Sequence, residues 1–124
     1  MITSSLIVIW WLQPKFASEE ELANYRIHPD IPSQFKVFQK TRVQYNQIGT
    51  GPDLVLLHGI GASTFIWRRL LPLLAKNYRV TAIDMPGFGR SQKVLEFELN
   101  LDSMSDFIVQ FLEDIGIEKF DLVG

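Results

Sequence analysis

Short apolar runs separated by helical patterns constrain this chain more than any other feature. Leu54-Val55-Leu56-Leu57 offers no polar residue to a wet face. Such a run reads as a strand covered on both sides, as in a parallel sheet buried between helices. Arg79-Val80-Thr81-Ala82-Ile83 reads as a second buried strand, and residues 120–123 as a third. Between the first two lies a helical stretch over 64–70, which Pro72 should kink or restart. Between the second and third, Leu101, Met104, Ile108, Phe111, Leu112 and Ile115 recur on one stripe at helical spacing. Asn100 is placed to cap that helix at its start and Gly116 at its end. Strands alternating with helices require crossover connections, hence an α/β fold with a mostly parallel sheet.

Upstream the pattern changes. Phe35-Lys36-Val37-Phe38 and Arg42-Val43-Gln44-Tyr45-Asn46-Gln47-Ile48 alternate, with Gln39-Lys40-Thr41 between them. They predict a β-hairpin with one wet face, ahead of a turn at Gly49-Thr50-Gly51-Pro52-Asp53. A domain over 35–124 therefore follows an N-terminal part over 1–34. The nearer half of that part is polar and proline-punctuated. It holds a short helix over 18–25, with Ser18 as N-cap and Glu21 three residues on, then a linker through His28-Pro29-Asp30-Ile31-Pro32. The farther half carries Leu6-Ile7-Val8-Ile9-Trp10-Trp11-Leu12. Seven residues fall short of the roughly 20 that a membrane-spanning helix needs. No Lys or Arg precedes Lys15, so the positive region of a signal peptide is missing. Two readings stay open: an apolar segment that packs on something or remains from a mis-called start, and a membrane anchor with Trp10-Trp11 at the interface. The first gives a cytoplasmic protein and the second a membrane-anchored one.

Composition excludes several classes. At 47% hydrophobic and 21% charged residues the chain is globular rather than disordered. A net charge of −2 leaves no basic surplus for phosphates, so no nucleic-acid partner is expected. Without cysteine there are no disulfides or thiolate metal sites, and His28 and His58 alone offer little for a histidine-built metal centre.

Three motifs carry chemistry. The first is His58-Gly59-Ile60-Gly61-Ala62-Ser63, a glycine-rich turn between a strand and a helix. The second is Asp84-Met85-Pro86-Gly87-Phe88-Gly89-Arg90-Ser91, a loop shaped by proline and glycine after the next strand. The third is Leu122-Val123-Gly124, a strand ending in glycine. Gly59-x-Gly61 with Asp84 about 25 residues on also resembles a dinucleotide-binding loop. There, however, the third glycine would fall on Thr64, and the tract Pro86-Gly87-Phe88-Gly89 has no role. A P-loop fails because no Gly-Lys-Ser/Thr occurs. Asp84 reads as an anchor for its loop's amides rather than a catalytic acid. His58 reads as a partner for nearby backbone rather than a base. Trp67 and Phe88 are candidates to line a pocket, Phe65 is expected in the core, and His28 has no assigned role.

In this order the three motifs resemble the front half of an α/β-hydrolase. The run from His58 to Ser91 is similar to the epoxide hydrolase, haloalkane dehalogenase and C–C-bond hydrolase branches, and lacks the His-Gly-Gly-Gly loop of hormone-sensitive-lipase-like esterases. The resemblance implies the N-terminal half of the sheet, with Gly124 as the first glycine of the nucleophile elbow Gly-x-Ser-x-Gly. It implies that the backbone N–H of Ile60 belongs to the oxyanion hole, with His58, Gly59 and Gly61 supporting the turn. Asp84, Pro86, Gly87 and Gly89 then form a bracing loop. It further implies hydrolysis of a small, fairly apolar molecule without cofactor or metal, with the nucleophile two residues beyond Gly124 and the acid and histidine later still. The 124-residue chain is accordingly expected to be inactive and prone to self-association. A non-catalytic binding protein of the same fold is the alternative.

Overall fold

A computed structural model describes residues 18, 20, 24, 26–93 and 100–124. The apolar run over 6–12 and most of the helix expected over 18–25 lie outside the described residues. The elements are β1 (Arg26–His28), β2 (Ile31–Pro32), β3 (Gln34–Phe38), β4 (Thr41–Ile48), β5 (Asp53–Leu57), a 3₁₀ turn (Thr64–Trp67), α1 (Leu71–Leu74), β6 (Arg79–Ile83), α2 (Leu101–Asp114) and β7 (Asp121–Val123). One sheet has the order β3-β4-β6-β5-β7. β3, β4 and β6 pair antiparallel in turn, whereas β6, β5 and β7 run parallel. The α/β architecture and parallel crossovers read from the sequence are present.

The sheet separates two cores, and side-chain alternation along each strand assigns residues to them. Val55 and Ile83 join Val43 and the α2 residues Phe107, Ile108, Phe111 and Leu112 on one face. Leu54, Leu56, Val80 and Ala82 join Leu71 on the other, with Ile27 and Ile31 from the small β1–β2 hairpin. Both faces of β5 are buried, which is why its sequence never alternates. The proline-rich stretch read as a linker thus ends in a hairpin that contributes two core isoleucines.

Local chemistry explains the boundaries. The β3–β4 hairpin turns on Gln39 and Lys40, both at positive φ, so Thr41 belongs to the strand and pairs with Phe38. Pro72 sits in the first turn of α1, where a missing N–H costs nothing, and it restarts the helix. In α2 the Asn100 side chain accepts the Ser103 N–H at 2.8 Å. At the other end Ile117 N–H bonds the Leu112 carbonyl and Gly116 N–H the Glu113 carbonyl, a Schellman closure.

Three expectations need correction. The β3–β4 hairpin does not keep one face wet, because β4 lies inside the sheet, and Gln44 and Asn46 are fully buried in a hydrogen-bonded chain. Leu101 heads the apolar stripe of α2 yet is 82% exposed, so the buried stripe begins further along the helix, at Phe107 and Ile108. The third strand, read as buried, pairs among the described residues with β5 alone, and its three residues are exposed.

Candidate functional site

The site lies at the carboxyl ends of the parallel strands, where ligands bind in open α/β sheets. β5 and β7 pair in register from Leu54↔Asp121 to Leu56↔Val123. The turn at His58-Gly59 and the terminal Gly124 therefore leave the sheet side by side and in the same direction.

His58 organises the turn. Its Nε2 accepts the Met85 N–H at 3.0 Å, so the ring proton resides on Nδ1, which donates to the Gly59 carbonyl at 2.8 Å. The same carbonyl accepts the Ala62 N–H at 3.1 Å. Because the peptide is planar and trans, the Ile60 N–H points opposite to the Gly59 C=O. Two donors on that carbonyl thus hold the Ile60 amide on the opposite side of the peptide, where it meets no acceptor among the described residues. The Ile60 side chain is 90% exposed, so only its amide is positioned. Replacing His58 with Leu should orphan the buried Met85 N–H and lower stability by about 2–3 kcal/mol, read from the urea midpoint. His58→Gln should recover part of that loss.

Asp84 organises the neighbouring loop. Its carboxylate accepts the Thr64 N–H at 2.6 Å and the Arg90 N–H at 2.7 Å. Its carbonyl takes the Ser91 hydroxyl proton at 2.6 Å, and Ser91 Oγ in turn accepts the Gln44 N–H. A Cβ at Gly89 would overlap the carboxylate, so glycine is required there. Phe88 N–H closes onto the Met85 carbonyl, with Pro86 and positive-φ Gly87 between them, the composition of a type II turn. Burial pushes the Asp84 carboxyl above the usual carboxylate range, and the bonds from Arg90 and Thr64 partly offset that.

The polar chain continues behind the site. Thr64 Oγ1 donates to Gln44 Oε1, Gln44 Nε2 to Asn46 Oδ1, and Asn46 Nδ2 to the Pro32 carbonyl. Sequence reasoning missed Gln44, Asn46 and Thr64. The available signal was two amides in a strand whose apolar neighbours already had a core. Phe88 packs edge-on against His58 at 5.7 Å, whereas Trp67 lies with the core on the opposite sheet face, so they do not line one pocket. Phe65 is half-exposed beneath the Arg68 guanidinium instead of buried, because Thr64 and Leu71 occupy the sheet side. His28 Nδ1 accepts the nearby Asp30 N–H and lies 3.9 Å from the Asp30 carboxylate. No metal-binding cluster of His, Cys, Asp or Glu occurs among the described residues.

Comparison with known proteins settles the family. The model of the alpha/beta hydrolase fold matches residues 52–124. The chain belongs to the α/β-hydrolases. Over 72 residues it is 40% identical to the pimeloyl-[acyl-carrier protein] methyl ester esterase of Aeromonas hydrophila, covering 58% of this chain and 28% of that protein. Over 85 residues it is 38% identical to the mouse bifunctional epoxide hydrolase 2, covering 67% of this chain and 15% of that one. A crystal structure of a haloalkane dehalogenase variant from Bradyrhizobium elkanii superposes with a TM-score of 0.70 at 26% identity, over 75% of this chain and 31% of that one. This α/β-hydrolase chain spans less than a third of the length of these relatives. The branches named by the sequence resemblance include two of the three relatives.

Proposed function

We propose that this chain supplies the oxyanion-stabilising half of a cofactor-independent hydrolase acting on a small, fairly apolar molecule. The observation that carries this reading is the aimed Ile60 amide beside the end of β7. Two hydrogen bonds fix the peptide before any substrate arrives. A preorganised donor of this kind stabilises the charge that develops on a carbonyl oxygen under attack, whether the substrate's own or that of an ester formed with an elbow aspartate. A serine at the elbow would direct the site to an ester, thioester, lactone or C–C substrate, and an aspartate to an epoxide or halide. The relatives include an ester hydrolase, an epoxide hydrolase and a dehalogenase, which supports hydrolysis in general.

A chimaera tests the role of Ile60. Residues 52–124 are exchanged into the Aeromonas methyl ester esterase, to which this chain is 40% identical over 72 residues. Ile60→Ala should leave kcat nearly unchanged. Ile60→Pro removes the N–H and should lower kcat by about 10²–10³-fold. A folded chimaera indifferent to Ile60→Pro would rule the assignment out.

The 124 residues contain no Gly-x-Ser-x-Gly. Purified chain should therefore hydrolyse neither p-nitrophenyl butyrate nor styrene oxide above the buffer rate, because nucleophile and base are both missing. Turnover abolished by His58→Ala or Asp84→Ala would contradict this.

A further inference from the structure

The turn that carries Ile60 is stapled at both ends to two consecutive residues. At the near end His58 Nε2 accepts the Met85 N–H, and at the far end the Thr64 N–H reaches the Asp84 carboxylate at 2.6 Å. Between them the Ala62 N–H closes on the Gly59 carbonyl, with Gly61 at φ 79° where a type II turn needs a positive value. One extended residue, Ser63, separates Ala62 from Thr64. Whatever fixes Thr64 therefore limits how far the turn can swing, and with it the Gly59–Ile60 peptide.

Thr64 is fixed a second time through its hydroxyl. Thr64, Gln44 and Asn46 are all fully buried. Their chain ends at the Pro32 carbonyl, which only accepts, so the Asn46 group 2.9 Å from it is the amide nitrogen. Asn46 Oδ1 then faces Gln44, whose own nitrogen donates to it at 2.8 Å. That turns Gln44 Oε1 toward Thr64, and the hydroxyl donates to it at 3.1 Å. The Asp84 carboxyl is a rival acceptor for the same proton. It already takes the Thr64 and Arg90 amides, whereas Gln44 Oε1 has no other donor among the described residues. Reversing any member of the chain would set two acceptors against each other in a buried place, which is costly.

We propose that Thr64 is a positioning residue for the Ile60 amide. Its hydroxyl, held by Gln44, pins the far end of the turn as His58 pins the near end. The Gly59 carbonyl thus stays closed on Ala62, and the Ile60 N–H stays turned the other way. This rests on the reading of Ile60 as the oxyanion donor and adds the device that holds it. A donor fixed in advance needs no reorganisation when charge develops.

Amide hydrogen exchange on the full chain, read residue by residue, tests this without catalysis. The Ala62 amide reports the turn bond, and the amides of β5 and β6 report the rest of the fold. Thr64→Val keeps the branched shape and removes the hydroxyl, whereas Thr64→Ser removes the methyl and keeps the hydroxyl. Relative to β5 and β6, Ala62 protection should fall about tenfold in Thr64→Val and stay within about twofold of wild type in Thr64→Ser. Gln44→Met should lower it about threefold, because the freed hydroxyl turns to Asp84, and should add nothing to Thr64→Val. The proposal is overturned if wild-type Ala62 is unprotected, if Thr64→Ser loses as much as Thr64→Val, or if the Gln44 and Thr64 changes add in full. It is also overturned if β5 and β6 lose protection in step with Ala62 in folded variants, since the hydroxyl would then be a general stabiliser. Should Thr64→Val fail to fold, Gln44→Met decides alone, and an unloosened turn in that variant overturns the proposal. A loosened turn together with a chimaera indifferent to Ile60→Pro sinks the oxyanion reading, whereas a chimaera sensitive to Ile60→Pro with an unmoved turn sinks only the role of Thr64.

Discussion

Asp84→Ala should cost about 3–5 kcal/mol, because it strands two buried backbone donors at once. The carboxylate is fully buried and is the acceptor for both Thr64 N–H and Arg90 N–H. Losing it frees the start of the 3₁₀ turn and the Pro86–Ser91 loop together. In a domain whose whole stability is on the order of 5–15 kcal/mol, such a loss shifts the urea midpoint far toward zero. Asp84→Asn keeps one acceptor for Thr64 but sets an amide against the Arg90 N–H, so it should cost about half as much. Equal costs for the two variants would mean that only one of the bonds matters.

The same carboxyl gives a pH signature. Burial raises its pKa in the folded state, so the folded protein holds that proton more tightly than the unfolded chain. The stability this contributes is complete below the unfolded value and is lost as pH rises through the folded one. The advantage of wild type over Asp84→Asn should therefore narrow as pH climbs from about 4. Urea midpoints of both proteins across that range check the sign. An advantage that widens instead would show the two N–H bonds outweighing desolvation.

Asp84 also illustrates what was legible in the sequence. A short polar residue ending a strand, followed by Pro-Gly-x-Gly, signals a loop that must be tied down, and the structure ties it with that carboxylate. His58 was legible in the same way, as a ring placed where backbone groups turn. The β5, β6 and α2 elements were legible because burial on two faces or on one stripe leaves a period in the sequence. Gln44 and Asn46 were not. Alternation alone cannot distinguish a polar side chain facing water from one facing another buried polar group, since both satisfy the same rule. Phe65 failed for a related reason: hydrophobicity reports a preference for burial, but Thr64 and Leu71 already filled the sheet side. The exposure of β7 depends on which strands lie beside it, and no local pattern encodes that.

That edge leads to the second large effect: the 124-residue chain should self-associate, and Leu122→Lys should weaken the association by about 30-fold. All three residues of β7 are exposed, with Leu122 at 56% and Val123 at 43%. The strand pairs with β5 on one side and presents unpaired N–H and C=O groups on the other, a template for a second chain. Beside it lies an apolar cavity of about 320 Å³ between β7 and α2, lined by Leu57, Met104, Ile108, Val109, Phe120 and Leu122. A second copy that pairs with the edge and fills this cavity buries apolar surface that a monomer leaves wet. A lysine at position 122 opposes both steps, because its charge resists desolvation in the cavity and blunts the edge. Size-exclusion chromatography with light scattering measures the outcome across a dilution series. A monodisperse, cooperatively melting wild-type monomer would show that the edge is closed by this chain itself. Association untouched by Leu122→Lys but dissolved by Leu73→Ser would move the contact to the opposite face of the sheet.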